Sequence, residues 1–327
     1  MLLCGMLSAC RRPQKQYTFY AFDYFDTVSV ITGYAQSQKE FDAVAADILE
    51  QLEQYHQLYS IYESFEGINN LRTVNEARSA TVDKRIIDML HYGVQMYEKT
   101  DGRMNIAMGS VLSVWHEYRT AGKEKPEEAV LPPADLLAAA AEHTDITKLV
   151  IDEKNSTVTL LDPQMRLDVG AVAKGYATEQ IAKYLEEKGI SGYLLNIGGN
   201  VRAVGSKLDG SPWITAVENP DGEAYFAAVK LTGQAIVTSG SYQRYYTVEG
   251  KQYHHIIDPA TNMPARGYLS VSVICPDSGL ADALSTALFC LSPEEGKALI
   301  ESIPDTEALW IKENGETFTS SGWNNYA

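Results

Sequence analysis

Apolar residues recur along this chain with two periods. Over residues 39–58, Phe41, Val44, Ala45, Ile48, Leu49, Leu52 and Tyr55 fall on one helical stripe. Residues 83–99 repeat the pattern with Ile86, Ile87, Leu90, Val94 and Tyr97. Residues 176–188 place Ala177, Ile181, Tyr184 and Leu185 at helical spacing, with Gly189 just past the end. Further helices are predicted over the alanine-rich 134–142, over 280–291 and over 293–302. Residues 121–135, with Pro126, Pro132 and Pro133, read as a surface loop. A period of two predicts a strand or hairpin over 17–32 (Tyr17, Phe19, Ala21; Val28, Val30) and a hairpin over 149–161. Residues 193–197 read as a buried strand running into Gly198-Gly199, and Trp213–Val217, Ala224–Leu231, Ala235–Thr238 and Ser270–Cys275 as further strands. Hairpins turn at Glu249-Gly250, within 244–257, and at Asn314-Gly315, within 307–319. Hairpins outnumber strand–helix–strand units. The expected fold class is therefore α+β, with mixed, largely antiparallel sheets and packed helices.

Composition narrows this picture. A chain of 327 residues, 45% hydrophobic, is long enough to bury a large core. A single domain is expected over 17–327, with room for two intimately packed lobes. A formal net charge of −16 and no basic cluster longer than Arg11-Arg12 exclude a nucleic-acid surface, which needs clustered Lys and Arg. At the amino terminus, Leu7-Ser-Ala-Cys10 fits the bacterial lipobox, in which the cysteine is acylated after signal cleavage. The positive n-region is missing and the apolar stretch is short, so an upstream start or a trimmed chain is expected. Residues 1–16 read as a lipoprotein signal remnant and tether. A lipid anchor at Cys10 would place the body on the extracytoplasmic face of the cell membrane. Cys275 and Cys290 have apolar neighbours and no metal-type spacing, and read as buried thiols.

Five segments carry candidate chemistry. Asp168-Val-Gly-Ala171-Val-Ala-Lys174-Gly175 reads as a loop entering a helix, where free N–H groups attract anions and Lys174 adds a mobile positive charge. It equally fits an ordinary first helical turn with a solvated lysine. Asp282 and Thr286 stand four apart on a helix of small and apolar residues, so they share a face and could offer oxygens to a hard cation. Asp282 as a dipole-favoured first-turn residue, with Thr286 bonding backward, explains them as well. On the strand ending Tyr253-His254-His255, neighbours face opposite ways, so only one histidine can share a pocket. His255, on the face of Ile257, suits general-base work on a hydroxyl. Asn196-Ile-Gly-Gly-Asn200 and Thr238-Ser239-Gly240-Ser241 are strand-end turns where backbone could approach a ligand. Ser239 lacks the flanking pattern of a nucleophile elbow.

Taken in order, these blocks resemble the ApbE family, the FAD:protein FMN transferases. Asp168-x-x-Ala171-x-x-Lys174-Gly175-Tyr176 is similar to its flavin- and metal-site signature, and Asn196–Asn200, Thr238–Gly240, His255-Ile-Ile-Asp-Pro259 and Ala281–Ala287 to later blocks. Ser60-Ile-Tyr62 resembles its aromatic flavin contact, and Gly102–Gly109 its Gly-x-Phe-Asp-x-x-x-Gly block. The resemblance runs from about residue 20 to the end. It implies Mg²⁺-dependent transfer of FMN from FAD to a Thr or Ser hydroxyl of an acceptor flavoprotein subunit, releasing AMP. By the same resemblance His255 is the base, and Ala171 (through its carbonyl), Asp282 and Thr286 hold the metal. Tyr62, Met104, Asn105, Asp168, Lys174, Asn196, Gly198, Gly199, Ser239 and Ile256 contact the flavin nucleotide. Two other uses of such a site remain open: a FAD pyrophosphatase with water as acceptor, and a FAD-binding lipoprotein without turnover. Three departures stand out. Asn105 replaces the usual aspartate, Phe25-Asp26-Thr27 stands where Met-Gly-Thr is common, and Asn262-Met263-Pro264 replaces a Thr-Gly-x-Pro turn.

Overall fold

The computed structural model describes residues 13–220, 222 and 225–327. The lipobox with Cys10, and Ala224 at the start of one predicted strand, lie outside the described residues. The helical periods become eight α-helices among the described residues: α1 (Gln38–Tyr59), α2 (Leu71–Ala77), α3 (Lys84–Lys99), α4 (Gly109–Glu124), α5 (Ala134–Ala141), α6 (Ala173–Glu187), α7 (Ser278–Phe289) and α8 (Pro293–Glu301). Local chemistry starts several of them. Ser37 caps α1 by accepting a hydrogen bond from the Glu40 N–H, and Ser292 and Glu295 form a reciprocal capping box on α8. The 176–188 helix begins three residues early, at Ala173.

Two helices have no counterpart in the sequence reading, α2 and α4, and α4 runs into the predicted loop as far as Glu124. Distant partners hold α4 in place. Trp115 is buried, donates its indole N–H to the Asn262 carbonyl at 2.9 Å and stacks on Tyr253. No local period reports such contacts.

Eight strands form the main sheet, in the spatial order Lys15–Tyr24, Thr27–Ala35, Tyr193–Ile197, Asn200–Val204, Ala235–Gly240, Tyr268–Cys275, Glu307–Lys312 and Thr317–Thr319. Every ladder between described strands is antiparallel, and the one parallel pairing is the isolated bridge Met108–Arg166. Side chains alternate between its faces as the pleat requires. On one face Val237, Val271, Val273 and Trp310 bury under α7 and α8. On the other, Val201, Ala203, Ile236, Ile274 and Leu309 bury under the ribbon Trp213–Glu218/Tyr225–Leu231. A third core packs α1, α3 and α6 against Ile31, Leu195 and Ile197. Among the described residues no helix is long and apolar enough to cross a membrane.

The helical face of the sheet also carries polar side chains, and these orient α6 and α7. Asn200 and Arg202, two apart on one strand, point the same way. The Arg202 guanidinium pairs with Glu179 of α6 at 2.9 Å, both groups buried, and Glu179 also accepts the Ser278 N–H at the start of α7 at 2.8 Å. At Gly175 the two helices come so close that a Cβ would lie 2.4 Å from both the Asp282 Cβ and the Ser278 carbonyl oxygen. Neither atom is the end of a flexible chain, so a methyl group there must separate the helices. Gly175→Ala is expected to cost about 1–3 kcal/mol, the usual range for overpacking. Urea unfolding should show a lower midpoint with an unchanged slope.

Candidate functional site

A cavity of about 320 Å³ opens where the strand ends at Gly198–Asn200 and Thr238–Gly240 meet α6 and α7. Its far wall is built by the loop after α1 (Ser60–Tyr62), by α4 and by the segment 255–259. Of the predicted site residues, Tyr62, Met104, Asn105, Asp168, Ala171, Lys174, Gly198, Ser239, His255, Ile256, Asp282 and Thr286 line it. Asn196 and Gly199 do not. The Asn196 side chain instead accepts the Gly199 N–H at 3.0 Å and closes the turn between its two strands. Gly198, which lines the cavity, must also be glycine for a packing reason: its φ is +57°, and a Cβ there would strike the Thr27 side chain at 2.4 Å.

Asp282 is the most constrained group in the cavity. Its Oδ2 accepts the Gly175 N–H at 2.8 Å and the Asn200 side-chain amide at 3.0 Å. Burial pushes its carboxyl above the ordinary value, against the pull of Lys174 and these two hydrogen bonds. The Gly175 bond has a consequence one turn back. In a regular helix that N–H would satisfy the Ala171 carbonyl, which here accepts no hydrogen bond from the described residues. Thr286 lies one turn along α7 from Asp282, and its hydroxyl stands 3.4 Å from Ser239 Oγ. Ser239 also bonds Ser285 at 2.8 Å, which ties the strand to α7. Among the described residues there is no group of three His, Cys, Asp or Glu side chains able to hold a metal. The oxygens present are one carboxylate, one hydroxyl and one main-chain carbonyl. That set fits a hard cation such as Mg²⁺, which takes few protein carboxylates and completes its shell with water and substrate phosphate.

The two adjacent histidines have separate fates. His254 is buried, donates its Nε2–H to the Ala265 carbonyl at 2.7 Å and accepts the Ile256 N–H on Nδ1 at 3.2 Å. Both nitrogens are used, so it is a structural residue. His255 lines the cavity, and its Nδ1 is buried without a hydrogen-bond partner among the described residues. Burial, with the positive charges of Arg244, Arg119 and Lys174 behind it, pushes its pKa down to about 3. A neutral imidazole is thereby held in the cavity that Asp282 and Lys174 also line. Burial likewise raises Asp168, whose Oδ1 accepts the Gly170 N–H at 2.9 Å.

An imidazole, a lysine and a set of three oxygens on one cavity come from the ordered blocks read along the chain, and those blocks lie within the span shared with a known family. Residues 25–310 match the model of the ApbE family. The chain belongs to that family. It is 31% identical over 268 residues to a FAD:protein FMN transferase of Klebsiella pneumoniae (strain 342), covering 77% of this chain and 81% of that protein. It is 30% identical to the FAD:protein FMN transferase of Haemophilus influenzae, covering 93% and 88%. Among solved structures, the ApbE protein of Thermotoga maritima superposes with a TM-score of 0.82 at 28% identity, covering 95% of this chain and 99% of that one. The flavin transferase ApbE of Vibrio cholerae does so with 0.79 at 25%, covering 96% and 100%.

The structure accounts for the three departures from the ApbE pattern. Asp26 and Asn262 stand where glycine is common, at φ +52° and +57°, and Asp and Asn are the side chains best tolerated there. Asn105 accepts the Ala107 N–H at 2.8 Å and donates its amide to the Thr144 carbonyl at 3.0 Å. A carboxylate could make the first bond and not the second. Asn200, the end of the Asn196–Asn200 segment, lines the cavity as well; sequence reasoning missed Arg244, His116 and Arg119, which lie in segments without a ligand-type spacing. Cys275 and Cys290 are free thiols, the first buried and the second partly so.

His254, pushed down to about 4 by burial, links the site to stability. The unfolded chain protonates this imidazole near pH 6.5 and the folded chain does not. Its contribution is therefore present above pH 6.5 and lost as the pH falls toward 4, by about 3 kcal/mol at most. Asp168 and Asp282, raised rather than lowered, act with the opposite sign. Denaturant titrations at stepped pH should show stability declining between pH 6.5 and 4, and a shallower decline in His254→Gln.

Proposed function

We propose that this protein moves FMN from FAD onto a Ser or Thr hydroxyl of an acceptor protein, releasing AMP, with Mg²⁺ as the working ion. The observation that carries the reading is the shared cavity of His255 and Asp282: it holds a neutral imidazole with an unpartnered nitrogen and a buried carboxylate that draws the Gly175 N–H away from the Ala171 carbonyl. The names of the relatives support it, since each is a FAD:protein FMN transferase.

In this reading His255 takes the proton from the attacking hydroxyl. The hydroxyl oxygen forms a bond to the FMN phosphorus, and the P–O bond to the AMP phosphate breaks with its electrons leaving on AMP. An ion held by Asp282, Thr286 and the Ala171 carbonyl would neutralise pyrophosphate charge. Lys174, which has no ion-pair partner among the described residues, adds a positive charge on the same side. The incoming pyrophosphate would offset the charges of Arg244, Arg119 and Lys174 around His255. That moves its pKa back toward the range where a base is effective. Tyr62 offers a flat ring to the flavin or the adenine. The lipobox at Leu7–Cys10 supports a lipid anchor and an extracytoplasmic site of action.

The test is incubation with FAD, Mg²⁺ and a flavoprotein subunit domain bearing an acceptor hydroxyl, followed by AMP release and acceptor mass. An acceptor heavier by one FMN per AMP is expected, and chelation with EDTA should stop it. AMP and free FMN with unmodified acceptor would point to hydrolysis, and bound, unaltered FAD to a carrier. Asp282→Ala should lose metal-dependent turnover. His255→Ala should keep FAD affinity and lose about 10²–10⁴ in rate, the usual worth of a general base. Transfer by His255→Ala at the parental rate would remove His255 from this role.

A further inference from the structure

The far wall of the cavity contains an aromatic pair that the chemistry above leaves half used. The Tyr62 ring lies on the His116 ring with centroids 5.0 Å apart and planes 30° from parallel. Tyr62 sits in a loop and remains 56% exposed, and among the described residues its backbone is held by the bond from Arg72 to its carbonyl at 2.8 Å. A half-exposed ring on a loop has no preferred plane of its own. His116 supplies one, because it projects from α4, which the buried Trp115 next to it anchors through Asn262 and Tyr253. One turn along, the Arg119 guanidinium lies 3.3 Å from His116 Nδ1. A guanidinium only donates, so Nδ1 accepts and the proton sits on Nε2. The imidazole is thus fixed in one tautomer. Burial and the same arginine hold its pKa below the ordinary value, which keeps the ring neutral.

We propose that His116 is a positioning residue for FAD: it backs the Tyr62 ring and fixes the plane on which the planar ring of the dinucleotide stacks, while Arg119 fixes His116. The inference rests on the functional reading above. One face of Tyr62 is covered by His116 and the ring lines the same cavity as His255, so its free side is the one a ligand meets. His116 acts on FAD through Tyr62 and takes no part in phosphoryl transfer.

The measurement is a double-mutant cycle on the full chain: the parent, His116→Ala, Tyr62→Ala and the pair, with His116→Phe as the conservative replacement. The Kd for FAD is read by flavin fluorescence and the transfer kinetics by AMP release. His116→Ala should raise Kd and KM by about tenfold and change kcat by less than about twofold. His116→Phe, which keeps a ring without the nitrogen, should recover to within about threefold of the parent. In the Tyr62→Ala background, His116→Ala should add less than about twofold, since its effect passes through the missing ring. An unchanged Kd in His116→Ala overturns the inference. So does a tenfold penalty that persists without Tyr62, which would make His116 a direct ligand, or a loss confined to kcat. The parent tests the underlying function separately: a parent that binds no FAD overturns that reading and this one together, whereas a parent that transfers FMN leaves the variants to judge His116 alone.

Discussion

The approach of α6 to α7 at Gly175 is the contact on which the site depends. With no side chain between them, the Gly175 N–H reaches the Asp282 carboxylate at 2.8 Å. That single bond does two things. It satisfies one oxygen of a buried carboxylate, and it diverts from the Ala171 carbonyl the donor a regular helix would supply. Two oxygens that on the proposed reading would hold a cation, 111 residues apart in the chain, are set by one hydrogen bond from a main-chain N–H. A side chain at position 175 would undo both.

Holding helices this close requires restraint from elsewhere. The buried Arg202–Glu179 pair supplies it from the sheet, with Glu179 also gripping the Ser278 N–H. Asp277, just before α7, is held by Tyr92 of α3 at 3.2 Å and by Lys183 of α6 at 3.3 Å. A buried ion pair is weak evidence for net stability, because desolvation opposes the attraction. Its worth here is positional: Arg202 faces the helices two residues from Asn200, so the strand that anchors α6 also delivers the amide that orients Asp282.

The cavity holds buried acids and a buried base whose ionisation burial opposes. Around Asp282 and Asp168, burial favours the protonated acid, so a cation entering there relieves an existing cost. Around His255, burial and three cationic side chains favour the neutral base, so an anion relieves a cost there. On the proposed reading, a metal-bound pyrophosphate dinucleotide would supply both charges. The acidity of the chain, net −16, says nothing of this local arrangement.

Much of this was legible in the sequence. The stripes of α1 and α3, the hairpins and the caps follow from local periodicity and side-chain hydrogen bonding, which act within a few residues. His255 and His254 do have separate surroundings, as strand alternation suggested, but the strand Lys251–His254 ends before His255, which lies in the bend that follows. The ordered blocks with Asp168, Lys174, His255, Asp282 and Thr286 were readable as a site because each block is short and contiguous. The tertiary structure alone decided the rest. It decided that α4 exists over residues the periodicity left without a reading, since Trp115 finds its partners near residues 253–262. It assigned Gly198 to Thr27, Asn196 to its own turn, and Asn105 to the Thr144 carbonyl. It brought His116 and Arg119 to the cavity and joined Gly175 to Asp282. The physical reason is range: periodicity and capping are set by neighbours along the chain, whereas close approach, burial and the field at a buried charge depend on groups that only folding makes neighbours.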